Sequence, residues 1–144
     1  MVDGIEIRIL GPGDLGVLAE VDPDTFDGPV VPRWAEAALV APDQHLVVAL
    51  DGDRVVGFAM GIRVVEPDKA PVLYVDEVGT ADAYQRRGIA TALVHVLLDH
   101  ARTLDCTAAW LMTEEENEPA RAFYAAIGGT EEQRPVYITF DLSA

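Results

Sequence analysis

Residues 78–91 read Val78-Gly79-Thr80-Ala81-Asp82-Ala83-Tyr84-Gln85-Arg86-Arg87-Gly88-Ile89-Ala90-Thr91. An apolar strand, Val72–Thr80, runs into a turn. Two arginines and a glycine then open the strongest helical periodicity of the chain, from Gly88 to Asp105, carried by Ile89, Leu93, Val96, Leu97 and Leu104. Such a helix must pack back on the sheet that launched it. The next strand, Thr107–Met112, then lies parallel to the first. The first turn of a helix carries unpaired N–H groups and the positive end of the macrodipole, so it attracts anions, phosphates above all. Gly88 and Ala90 leave room for a phosphate, and Arg86 and Arg87 add charge. The same residues also suit an exposed turn and close helix–sheet packing. The spacings Gly-x-x-x-x-Gly-Lys and Gly-x-Gly-x-x-Gly are missing, which disfavours an ordinary ATPase or dinucleotide enzyme.

Other elements follow from pattern and punctuation. Ile5–Leu10 reads as a strand, Leu15–Val21 as a short helix, and Asp22–Pro32 as a loop. Pro32 opens a helix to about Ala41. His45–Leu50 and Arg54–Val65 form a hairpin about Asp51-Gly52-Asp53, and Pro67–Pro71 is a loop. The nearly unbroken apolar run Val72–Val75 suggests a strand covered on both faces. Asn117 and Pro119 start a helix that reaches Ile127 and stops at Gly128-Gly129. Tyr137–Leu142 alternates and reads as a last strand. The expectation is one α/β domain over residues 1–144 with a sheet of mixed direction.

Charge narrows the partners. The chain has 10 Lys plus Arg against 25 Asp plus Glu, a formal net charge of −15. Nucleic acid and anionic membrane are disfavoured, because both need a basic surface. A cationic small molecule is permitted, since a negative field concentrates it, but the even spread of acids is first of all that of a soluble surface. One cysteine, Cys106, builds neither a disulfide framework nor a cysteine metal cluster, and His45, His95 and His100 lack metal spacing. No metal is expected. The N-terminus lacks a basic segment followed by an apolar one, and no run reaches the ~18 apolar residues of a membrane span. A cytoplasmic location is expected.

Gln85-Arg86-Arg87-Gly88-Ile89-Ala90 resembles the pyrophosphate-binding pattern Gln/Arg-x-x-Gly-x-Gly/Ala of the GCN5-related N-acetyltransferases. Asn117 to Gly129 is similar to that family's later Asn…Tyr…Gly helix, and the order of elements fits over nearly the whole chain. The resemblance implies a mixed, mostly antiparallel sheet of six to seven strands with a locally parallel splayed pair and about four helices. It also implies acetyl-CoA as co-substrate. Gln85, Arg86, Arg87, Gly88, Ile89, Ala90 and Thr91 would hold the pyrophosphate. Val78 and Thr80 would pair with the pantetheine arm, and Asn117 would reach the same arm. Tyr124 would stand near the sulfur as general acid; on its residues alone it suits packing beside Phe123 and Ile127. Family members often pair, which implies a homodimer.

Acetyl transfer to an amine needs no protein nucleophile, only a neutral, well-placed amine and routes for two protons. Glu77, a carboxylate in an apolar strand, is the candidate base or ammonium anchor. Asp76 is its neighbour and must point to the other face. Glu114, Glu115 and Glu116 form either a solvated loop or one wall of a cationic substrate site. Trp34 and Trp110 suit the core or a substrate wall. Tyr74 to Ala92, the acid at 77 and the final Tyr137–Leu142 resemble the gentamicin-type aminoglycoside 3-N-acetyltransferases, where Asp stands in place of Glu77. The resemblance implies an aminoglycoside N-acetyltransferase. The alternatives are another amine, such as a polyamine or a protein N-terminus, or an acetyl-CoA sensor without turnover.

Overall fold

The computed structural model describes residues 2, 4–132 and 135–143. The chain forms two compact units, Met1–Leu111 and Met112–Ala144.

The first unit is an open five-stranded sheet in the order β1 (Glu6–Leu10), β2 (Gln44–Asp51), β3 (Arg54–Glu66), β4 (Lys69–Thr80), β5 (Ala109–Trp110). The first three pairings are antiparallel and β4–β5 is parallel. Helix α2 (Ile89–Thr103) is the crossover that makes the last pair parallel. Its side chains Ile89, Leu93, Leu97 and Ala101 pack on Val47, Ala49, Val56, Ala59, Leu73 and Val75 from the sheet. The opposite face packs Val48, Leu50, Val55 and Phe58 against Leu18 and α1 (Pro32–Val40). Adjacent residues Val47 and Val48 are both 0% exposed, so β2 is covered on both faces. Continuous apolar runs follow from that coverage.

Several expected boundaries move. The stretch Leu15–Ala19 is a 3-10 turn, and Asp82–Tyr84 is another. Residues Lys69 to Pro71, read as loop, belong to β4, because β3 and β4 turn at once around Pro67-Asp68. Fold class is as expected, with one sheet of five strands rather than six to seven and three α-helices rather than about four, among the described residues. Trp34 and Trp110 are 64% and 46% exposed, so neither is a core residue.

The second unit contains α3 (Glu118–Ala126). Asn117 caps it by accepting from the Ala120 N–H, and Pro119 sits in the first turn. Gly128 takes a φ of 101°, the left-handed bend that ends the helix. The expected strand Tyr137–Leu142 joins no ladder among the described residues. Alternation fixes which side chains share a face, but a strand also needs a partner backbone.

Candidate functional site

The informative irregularity lies in β4. Met60 pairs with Glu77 and Gly61 with Val75, so Asp76 is an extra residue, a β-bulge. The bulge shifts the phase of everything after it. Without it, Glu77 would share the α2 face with Leu73 and Val75. With it, Val78 packs with the α2-side core and Glu77 lies opposite Met60, which packs on the other face. The bulge breaks the simple alternation of Asp76 and Glu77, and the Asp76 charge acts on Glu77. The expected opposition of the two carboxylates is thus corrected by the bulge.

The bulge also shifts the backbone. Leu73 donates its N–H to Ala108 on the β5 side, whereas Ala81 donates to Val56 on the β3 side. Backbone groups alternate along a strand, so Val78 and Thr80 aim theirs away from β3. On that outer edge β5 pairs only with Leu73 and Tyr74. Among the described residues, no strand covers β4 beyond Tyr74. A wedge therefore opens beside Val78 and Thr80. An extended chain with amide groups fits such an edge, as an added strand would.

At the end of the wedge, Gln85–Gly88 leads into α2. Arg86 and Gly88 both take left-handed φ values, 61° and 81°. No side chain caps the helix, and its first backbone bond is Ala92 N–H to the Gly88 carbonyl. The N–H groups of the first turn are left open to an anion. A Cβ on Gly88 would meet only Val2 Cγ1, at 3.9 Å, so the approach is clear. Arg86 and Arg87 are exposed beside it. Ile89 is 1% exposed and anchors the turn in the core, and Ala90 and Thr91 are half-buried. The Gln85 side-chain amide folds back along its own loop at the surface, donating to the Thr80 carbonyl at 3.3 Å and to Asp82 Oδ1 at 3.2 Å. These residues fit a pyrophosphate through backbone N–H groups and arginine charge.

Across the opposite face, the loop 22–28 runs over the end of β4. It is stitched down by Asp22 N–H to the Val55 carbonyl and by the buried Thr25, whose hydroxyl donates to the same carbonyl. Phe26 stacks on Phe58 with ring centroids 4.2 Å apart. Burial raises the Glu77 carboxyl above its ordinary value, and the charges of Asp27 and Asp76 raise it further. Asp27 joins the site only through the fold; in the sequence it is one acid of an acidic loop. A cleft of about 720 Å³ lies beside this loop, lined by Leu15, Leu18, Val21, Phe26, Val30 and, at its polar edge, Asp22.

In the second unit, Tyr124 lies on α3 in edge contact with Phe123, ring centroids 4.9 Å apart. Burial pushes its phenol above 10.0, so it stays protonated at neutral pH. The Asn117 side chain caps α3 and donates to Thr113 Oγ1 at 3.3 Å. Glu114, Glu115 and Glu116 form the exposed turn before α3, with the Glu115 carbonyl accepting from Arg121. No group of three or more His, Cys, Asp or Glu side chains suited to a metal occurs among the described residues. No helix among them is long and apolar enough to cross a membrane.

The profile of the Acetyltransferase (GNAT) family matches residues 17–128. The chain belongs to that family. It is a GNAT N-acetyltransferase, and acetyl-CoA is the acetyl donor of such enzymes. It is 32% identical over 126 residues to the N-alpha-acetyltransferase RimI of Mycobacterium tuberculosis, covering 86% of this chain and 77% of that one. Among solved structures, an aminoglycoside acetyltransferase from an uncultured soil metagenomic sample, in complex with trehalose, superposes with a TM-score of 0.85. Identity there is 17% and coverage 98% of both chains. An aminoglycoside N-acetyltransferase in complex with CoA gives 0.76 at 19% identity, with 94% of each chain covered. At these identities the likeness establishes the GNAT fold.

Proposed function

We propose that this GNAT enzyme acetylates an amine of a cationic small molecule, with an aminoglycoside as the first acceptor to test. The observation that carries the reading is that the charges of Asp27 and Asp76 both act on Glu77, on the strand whose outer edge is open. Three carboxylates are a poor arrangement for an isolated protein and a good one for an ammonium group. The aminoglycoside acetyltransferases among the structural neighbours point the same way.

Acetyl-CoA supplies an activated acyl group on a good leaving thiol. The chain's residues bind and move protons. The N–H groups of Gly88 to Thr91, with Arg86 and Arg87, hold the pyrophosphate. The outward backbone groups of Val78 and Thr80 hold the arm along β4. Gln85 contributes by bracing the loop, and Asn117 by fixing the start of α3. Glu77 takes the proton that the amine must lose, directly or through water, and its pKa is raised by partial burial and by the charges of Asp27 and Asp76. Tyr124 gives its phenolic proton to the departing sulfur. Asp76 adds attraction for a cation.

A second reading has its own support. The apolar cleft lined by Leu18, Val21, Phe26 and Val30 suits a peptide side chain, and the relative RimI is named an N-alpha-acetyltransferase. Protein N-termini are therefore the second acceptor class.

The test follows free thiol released from acetyl-CoA over aminoglycosides, polyamines and peptides. Release with aminoglycosides, weakened in Glu77→Gln and Tyr124→Phe, supports the first reading. Release with peptides alone replaces it by the second. CoA binding without release on any amine would make the protein a sensor.

A further inference from the structure

We propose that Asp51 and Tyr84 are positioning residues for the phosphate-holding loop, acting through Arg87. Tyr84 immediately precedes that loop. Its ring packs against the α2-side core, and its hydroxyl donates to Asp51 Oδ2 at 2.5 Å. Asp51 is the last residue of β2, at the β2–β3 turn, 33 positions away in the chain. The Arg87 guanidinium sits over the Tyr84 ring, 5.1 Å from its centroid. The order of contacts is therefore hairpin carboxylate, phenol, guanidinium, and then the open N–H groups of α2.

The loop needs such a brace. Arg86 is a non-glycine residue at a φ of 61°, a conformation that persists only where its surroundings hold it. The brackets around it are visible. Asp82 donates its N–H to Asp24 Oδ2 at 2.9 Å, and Gln85 donates to the Thr80 carbonyl. The Tyr84–Asp51 bond is the bracket that fixes the ring beneath Arg87. An exposed arginine alone samples many rotamers, and stacking on a fixed ring removes part of that freedom before an anion arrives.

Charge and positioning predict opposite signs here. Asp51 is an anion near a site for anions, so by Coulomb's law alone its removal tightens CoA binding. If it positions Arg87 through Tyr84, its removal weakens binding. Asp51→Asn separates the two, because the amide oxygen still accepts from the phenol while the charge is gone.

The inference rests on the CoA-binding reading above, and the experiment has two arms. In the first, CoA and pantetheine are titrated calorimetrically into wild type, Tyr84→Phe, Asp51→Ala, Asp51→Asn and the Tyr84→Phe/Asp51→Ala double variant. Tyr84→Phe and Asp51→Ala each weaken CoA by about three- to tenfold, as loss of one hydrogen bond does. The double variant loses no more than either single, Asp51→Asn binds as well as wild type, and pantetheine, which has no pyrophosphate, is unaffected. In the second arm, trypsin cleavage after Arg86 and Arg87 is timed in the free proteins, and it is several-fold faster in Tyr84→Phe and Asp51→Ala only. Unchanged or tighter CoA binding in Asp51→Ala overturns the inference, as does an equal loss for pantetheine. If wild type fails to bind CoA, the proposed function falls. The trypsin arm then decides the brace, and equal cleavage rates would refute it.

Discussion

Glu77 pairs with Met60 across the β3–β4 ladder, one step out of phase with Leu73 and Val75, because Asp76 is an extra residue between them. That displacement sets the carboxylate on the face that carries Asp27 and away from α2. Burial, then Asp27, then Asp76 raise its pKa above the ordinary 4.5. A base must be deprotonated, so the rate falls as pH drops through this raised value. Asp27→Asn removes one repulsion and lowers the Glu77 pKa, so the acid limb of kcat/KM moves to lower pH. Asp76→Asn moves it the same way. Glu77→Gln loses the limb and about 10²-fold in rate. A pH–rate profile with an unmoved limb in both Asp variants would remove Asp27 and Asp76 from the site.

Tyr124 offers a phenol that burial keeps protonated past pH 10.0. Tyr124→Phe keeps the ring and its edge contact with Phe123 but removes the proton. We expect kcat to fall about a hundredfold, with the KM for acetyl-CoA changed less than about twofold. A kcat within threefold of wild type would show that the sulfur takes its proton from elsewhere.

Gly79 lies where β4 passes beneath the loop 22–28. A Cβ there would stand 2.8 Å from Phe58 Cε1 and 2.9 Å from the Thr25 carbonyl oxygen. The second neighbour is backbone and cannot rotate away. Gly79→Ala therefore destabilises by about 1–3 kcal/mol, as overpacking does. At Gly61 the close atoms, from 2.9 Å, all belong to the Leu73 side chain, which can shift. Gly61→Ala costs less than Gly79→Ala in urea denaturation. The reverse order would mean that the loop 22–28 yields more easily than the core.

His45 and His100 lie 55 positions apart, yet His100 Nε2 and His45 Nδ1 are 3.0 Å apart across β2 and α2. Burial, above all, lowers the His45 pKa below 6.5; His100 lowers it further, and a pull from Asp43 in the other direction outweighs the small effect of Arg63. The unfolded chain then binds more protons than the folded one just below pH 6.5. Stability is full above that value and is lost as pH falls through it toward the folded pKa. The melting temperature should fall between pH 7.5 and 5.5, and fall less in His45→Gln. Parallel curves for the two proteins would place the acid sensitivity elsewhere.

How much could be read in advance depended on the range of each interaction. Gly88 and the arginines before it were readable because a strand, a turn and a helix start lie within fourteen residues. Asn117, Pro119 and Gly128 marked α3 for the same reason, since caps are local chemistry. Asp27 carried no such mark, because its meaning depends on where the loop 22–28 lies over β4. The His45–His100 contact, the Tyr84–Asp51 bond and the Asp76 bulge are pairings between separate elements. Tyr137–Leu142 failed in the opposite direction: its alternation was plain, but alternation cannot supply a partner.

The sequence by itself determined the parallel crossover, the anion-ready helix start and the acetyltransferase family, because each is written in short spacings that restrict backbone geometry. Tertiary structure alone decided which way Glu77 faces. One residue inserted in a ladder reverses the side-chain phase after it, and only the pairing of Met60 with Glu77 and of Gly61 with Val75 reveals the insertion.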